Sequence, residues 1–173
     1  MMMAASPRAA LSALALVAAI ALSAPAVAQT ASTARPAPSA ASIESVNAGI
    51  VTDFYNIAFN QHKPTEAAQR YIGDVYIQHN PFVPNGAEPF TTYFEQYFKE
   101  NPQSRSTIHR VIAQGDLVVL HVHMQKSPED RGQAIVDIFR VENGKIVEHW
   151  DVIQDVPSET ANGNTMFSGA KAD

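Results

Sequence analysis

Asn143-Gly144 is the feature that most restricts what this chain can become. The dipeptide favours the positive backbone angles of a tight hairpin turn. It stands between two runs of alternating apolar residues, QAIVDIFRVE and KIVEHWDVIQDV. Two neighbouring antiparallel strands are therefore expected between Gln133 and Val156. Both carry polar groups where core is expected: Asp137 interrupts IVDIF, and His149 and Asp151 interrupt IVEHWDVI. Such groups are costly to bury unless they are paired, so this hairpin is where chemistry is sought.

Strand alternation assigns the faces. On Leu117 to Gln125, Leu117, Val119, His121 and His123 share one face, and Val118, Leu120 and Val122 the other. Asp137 shares a face with Ile135, Phe139 and Val141. On the last strand Val147, His149, Asp151 and Ile153 share a face, opposite Ile146, Glu148, Trp150 and Val152, and Trp150 is expected on the outer side of the sheet. A two-residue turn pairs Glu142 with Lys145 and sets Asp137 opposite Trp150. A three-residue turn, Glu142-Asn143-Gly144, sets Asp137 opposite His149. The residues alone allow both, and a shift of one residue exchanges the faces.

Upstream, Ser42 is a plausible helix cap, and Ile43, Val46, Ile50, Phe54 and Ile57 form a helical stripe that predicts a first helix to about Asn60. Pro64-Thr65-Glu66 opens a second, short helix running to about Tyr71. VYIQHNPFVPNG, with its prolines and terminal glycine, predicts a stub of strand leading into a loop, with His79 at the junction. Pro89 opens a third helix, whose Phe90, Tyr93, Phe94, Tyr97 and Phe98 predict a core face with one end lining a pocket, before Asn101-Pro102 stops it. Beyond Pro102 the period becomes alternating. Ser106 to Ala113, Leu117 to Gln125, Gln133 to Val141 and Ile146 to Ile153, joined by short breaks, predict an antiparallel meander. Helices followed by such a sheet give an α+β layout.

The first 28 residues have the pattern of a secretory signal peptide: Arg8, the apolar run Ala9 to Leu22, and Ala26-Val27-Ala28 as cleavage site. Pro25 and the polar stretch after it leave that run too short for a membrane anchor. A flexible leader over 29–41, one domain over 42–156 and a polar tail over 157–173 follow, in a periplasmic or secreted protein with no membrane attachment after cleavage. A net charge of −5 without basic runs argues against nucleic acid as a partner. With no cysteine, an exported chain must be held by packing alone.

Three helices followed by a terminal sheet, with VDIFRVENGKIVEHWDVI near its end, resemble the SnoaL-like (polyketide cyclase-like) family of the NTF2-like superfamily. YIQHNP and ANGNTMF also look like that family, and the resemblance runs from Ser42 to about Asp155. It implies an NTF2-like cone, in which N-terminal helices pack on a curved antiparallel sheet and enclose a pocket. Ketosteroid isomerases of the superfamily carry an acid on the strand matching IVDIF, which implies that Asp137 points inward. The catalytic aspartate of limonene epoxide hydrolases falls on Asp151. Polyketide cyclases pair an inward aspartate with a histidine at the spacing of His123 and Asp137. All three parallels favour the three-residue turn. The isomerases' tyrosine and general-base aspartate, and the hydrolases' arginine and second aspartate, have no match here, so neither specific activity is carried over.

A carboxylate facing an apolar cavity needs a donor or cation beside it, and a carboxylate–imidazole pair can shuttle protons near neutral pH. The expected chemistry is cofactor-independent acid/base catalysis on a small apolar carbonyl compound: aldol-type cyclisation, isomerisation or a lyase step. Asp137 is the expected acid/base, with His123 and His79 orienting it or donating to an enolate oxygen. His149, Asp151, His121, Phe94 and Phe139 are expected to contact the ligand. The alternative is a non-catalytic protein that binds a small apolar molecule. A metal site built on His121 and His123 with Asp137 or His149 is a third reading, although the enzymes this chain resembles need none, and neither metal nor cofactor is expected. The resemblance also implies a homodimer through the outer sheet face.

Overall fold

The computed structural model describes residues 42–168; the expected signal peptide and leader, and residues 169–173 of the tail, lie outside the described residues. Ser42 caps helix α1 (Ile43–Tyr55) by accepting the Ser45 N–H at 3.3 Å. The helix runs on through one π turn, Asn56–Asn60, a local widening that recurs at functional sites. Here it directly follows Tyr55. Helix α2 (Pro64–Tyr71) begins on a proline, at a position where no backbone donor is needed. Helix α3 (Ala87–Glu100) is entered through Gly86 at φ 96°, a conformation that a side chain disfavours. It ends where the Asn101 side chain donates to the Tyr97 carbonyl at 2.9 Å.

Five strands form one sheet in the order β1-β5-β4-β3-β2: β1 (Ile72–Gln78), β2 (Arg105–Gln114), β3 (Leu117–Gln125), β4 (Gln133–Glu142) and β5 (Lys145–Asp155). β2 to β5 are the expected antiparallel meander. β1 corrects the sequence reading twice. It begins at Ile72 and runs for seven residues, and it pairs parallel to β5, so the sheet is mixed. Its signal was blurred because Ile72 and Tyr76 are buried while the equally apolar Val75 is 62% exposed.

The hairpin adopts neither expected register. Asn143 (φ 51°) and Gly144 (φ 76°) form a two-residue turn, with Glu142 opposite Lys145 and Val141 opposite Ile146. Arg140 then faces Glu148, leaving Val147 as an extra residue on β5. From there Phe139 faces His149, Asp137 faces Asp151 and Ile135 faces Ile153. The three-residue turn is therefore incorrect, as is Asp137 opposite His149. A β-bulge makes the same change of parity two residues further along, because an inserted residue reverses the alternation beyond it. Ile146, which precedes the bulge, pairs with Val141 on the inner face and is fully buried.

The core lies between α1 and the inner sheet face. Val51, Phe54 and Tyr55 pack with Val118, Leu120 and Val122 of β3, and with Phe139 and Val141 of β4. Phe54 and Tyr55 meet the Phe139 ring edge-on at 5.9 and 6.4 Å, a favoured aromatic geometry. The outer face carries His121, His123, Val136 and Trp150, with Val152 70% exposed. Phe167 of the tail docks there, stacked on His109, His121 and His123 with centroids 4.8, 5.4 and 4.2 Å away.

Candidate functional site

A cavity of about 560 Å³ opens between α1, α3, the loop after β1 and the inner sheet face. Phe90, Tyr93, Phe94 and Tyr97 give α3 four aromatic positions on its wall, so the aromatic stripe is a cavity wall as well as a core face. Phe54, Phe59 and Phe139 continue the apolar lining. The polar groups gather where β4, β5 and the end of β1 come together.

Asp137 is 5% exposed and is hydrogen-bonded on both carboxyl oxygens. The Tyr55 hydroxyl donates to its Oδ2 at 3.0 Å, and His149 Nε2 lies 3.0 Å from its Oδ1. On its other nitrogen, His149 Nδ1 is 2.8 Å from Gln78 Oε1. That same oxygen lies 3.0 Å from the backbone N–H of Asn80, which can only donate, so the atom between them is an acceptor and His149 must donate to it from Nδ1. In the neutral ring Nε2 then carries no proton. One proton is left for the contact between Nε2 and Asp137 Oδ1, and either partner can hold it. Asp137 and His149 are thus a proton-sharing pair whose orientation is set by Gln78.

Asn80 completes the arrangement. Its Oδ1 accepts the Phe82 N–H at 2.9 Å, which turns its Nδ2 toward Asp151 Oδ2 at 2.7 Å. Ligand atoms of Asp137, His149 and Asp151 all lie within 4.8 Å of one another. Two carboxylates and an imidazole could bind a divalent ion, but only by giving up the hydrogen bond that joins Asp137 to His149. Burial, with the nearby Asp137 and Asp151 charges adding to it, pushes the Tyr55 and Tyr76 hydroxyls well above the ordinary phenol range. Both remain proton donors.

Of the residues expected from the sequence, Asp137, His149, Asp151, Phe94 and Phe139 line this cavity. His123, His79 and His121 do not. β3 places Leu120 opposite Asp137, which sends His121 and His123 to the outer face. There His123 Nε2 meets the Arg131 carbonyl at 2.7 Å and His121 Nδ1 meets Arg110 at 2.8 Å. A dyad of His123 with Asp137, and a metal set joining His121 and His123 to Asp137 or His149, are excluded by the thickness of the sheet. His79 stacks on Trp150 at 4.7 Å and pairs with Glu148 at 2.9 Å, also on the outer side. Tyr55, Tyr76, Gln78 and Asn80 were not anticipated. Alternation carried a signal for three of them, since Tyr76, Gln78 and Asn80 fall on one face and His79 on the other.

Helices enclosing a cavity against one face of a strongly paired sheet, with an acid on the central strand, define an NTF2-like fold. A SnoaL-like domain matches residues 51–149, and the chain belongs to that family. Solved structures agree on the fold. TsrD from Streptomyces laurentii is 18% identical over 65% of this chain and 91% of its own, with a TM-score of 0.54. A candidate polyketide cyclase from Bacillus cereus is 20% identical over 63% of this chain and 74% of its own, with a TM-score of 0.55. A SnoaL-like protein of unknown function from Burkholderia thailandensis is 16% identical over 65% and 98%, also at 0.55. No curated protein matches the chain.

Proposed function

We propose that the protein catalyses cofactor-independent acid/base chemistry at a carbon next to a carbonyl, with Asp137 and His149 as the proton-transferring pair. The observation that carries this reading is the buried Asp137–His149 hydrogen bond in the wall of an otherwise apolar cavity. In the imidazolium–carboxylate form, Asp137 takes the proton. The C–H electron pair becomes the enolate double bond, and the carbonyl π pair moves to oxygen. The charge on that oxygen is met by phenolic donors such as Tyr76 and offset through space by the imidazolium, whose nitrogens stay on Asp137 and Gln78. Return of the proton to a different carbon gives isomerisation. Attack of the enolate carbon on a second carbonyl, with Asp137 protonating the resulting alkoxide, gives aldol-type cyclisation, the chemistry suggested by the name of the Bacillus cereus relative.

Deuterium uptake from heavy water at the carbon beside the carbonyl, followed across a panel of apolar ketones and β-dicarbonyl compounds, tests the first step. Wild type should accelerate uptake by at least one member, and Asp137→Asn should lose about 100-fold or more. Equal rates for the two proteins refute the role of Asp137. Absence of uptake together with a co-purifying apolar ligand would make the cavity a binding site alone.

The same reading places the mature protein outside the cytoplasm, supported by the run from Ala9 to Leu22 and the Ala26-Val27-Ala28 site. The exposed Ile112, Val136 and Val152 support a homodimer through the outer sheet face. N-terminal sequencing of exported protein and sedimentation of a Val152→Glu variant test these two statements.

A further inference from the structure

We propose that the polar end of the cavity selects ligands carrying a protonated amine, which Asp151 receives while the aromatic walls hold the ligand body. The proposal rests on the cavity being the ligand site and adds the charge of the ligand to it. Asp151 lines the cavity, half-buried, and its one hydrogen-bonding partner among the described residues is the neutral amide of Asn80. No cationic side chain among the described residues lies within ion-pair distance of it. His149 cannot serve Asp151, because both its nitrogens are engaged by Asp137 and Gln78.

The charge count follows. With one shared proton the Asp137–His149 pair is neutral overall, so Asp151 leaves the polar end with one uncompensated negative charge. Low-dielectric walls strengthen the field inside a cleft. Those walls include Phe54, Phe59, Phe90, Phe94 and Phe139, whose ring faces attract cations. Lys126 also lines the cavity, but its side chain is exposed and the chain around it belongs to the β3–β4 connection, away from Asn80 and Asp151 in sequence and sheet position. A ligand whose amine meets Asp151 can therefore present a carbonyl to Asp137 a few ångströms away. An anionic group at the same place would face two carboxylates.

Phenethylamine, phenethyl alcohol and hydrocinnamate, measured by calorimetry against the full domain, separate cation, neutral donor and anion on one aromatic body. The amine should bind at least about tenfold more tightly than the carboxylate, with the alcohol between them. Asp151→Asn keeps an acceptor for Asn80 and should erase the preference. Asp155→Asn removes the same charge from the exposed end of β5, outside this cavity, and should leave the preference intact. The proposal is overturned if the carboxylate binds as well as the amine, if both variants behave alike, or if none of the three compounds binds. Asp137→Asn should retain the preference for the amine, so loss of proton transfer and loss of charge selection are separable.

Discussion

Asp137 stands directly across the β4–β5 ladder from Asp151, and the two meet because Val147 is skipped in the pairing. Without the bulge, the two-residue turn would have set Asp137 against Trp150 and turned His149 and Asp151 toward the outer face. Deleting Val147 removes the unpaired residue while keeping every pair from Arg140–Glu148 onward. Cross-strand nuclear Overhauser contacts between Asp137 and Asp151 should therefore survive in that variant. Their replacement by contacts between Asp137 and Trp150 would show that Val147 is not simply a skipped residue in this ladder.

Gln78 holds the Nδ1 proton of His149 and so leaves the other nitrogen to Asp137. In Gln78→Leu that proton is free to move to Nε2, and nitrogen NMR of the ring should show the Nδ1–H form losing its dominance. Deuterium uptake by a responsive substrate should fall about tenfold or more. Gln78→Glu retains both acceptor contacts, so the Nδ1–H signal should persist. An unchanged tautomer in the leucine variant would remove Gln78 from the pair.

Tyr55 buries a ring and delivers one hydroxyl to Asp137. Tyr55→Phe keeps the ring contacts with Phe59 and Phe139 but leaves Oδ2 without its donor in a buried site. A loss of about 1–3 kcal/mol is expected in urea unfolding. Unaltered stability would mean that water replaces the hydroxyl.

The tail contact should respond to acid. Burial, aided by Arg110 and for His109 also by the neighbouring His121 and His123, holds His109 and His121 below the ordinary imidazole value of 6.5. A lowered value means that the folded state disfavours the charged ring. The stabilisation is then fully present above 6.5 and is lost as pH falls through the lowered values. Line broadening or shift of the Phe167 ring resonances between pH 7 and 5 should report the loosening. Phe167→Ala should remove the pH-dependent part of unfolding in that range. Resonances that stay fixed throughout would show that these histidines titrate without moving the tail.

Much of the fold was legible because periodicity and punctuation are local. Ser42, Pro64 and Asn101 mark helix ends, α3 begins at Ala87, ahead of the expected Pro89, and the strands β2 to β5 were bounded to within about two residues. Asp137, His149 and Asp151 stood out as polar residues in apolar runs, and they do meet in one cavity. The spacing of His123 to Asp137 misled because sequence separation says nothing about which face of a sheet a neighbouring strand presents. That depends on strand pairing, and β3 pairs Leu120 with Asp137.

Local pattern specified the helices, the strands β2 to β5 and which residues of each strand can share a face, but not the start of β1 at Ile72. How those faces meet depends on long-range packing. Parallel docking of β1 beside β5 brought Gln78 and Asn80 to His149 and Asp151, and the packing of α1 brought Tyr55 to Asp137 across 82 positions of chain. Asn143-Gly144 set the turn, but the bulge after it set the site. One unpaired residue reverses every side chain beyond it, and which face ends up buried is decided only when helices and sheet pack together.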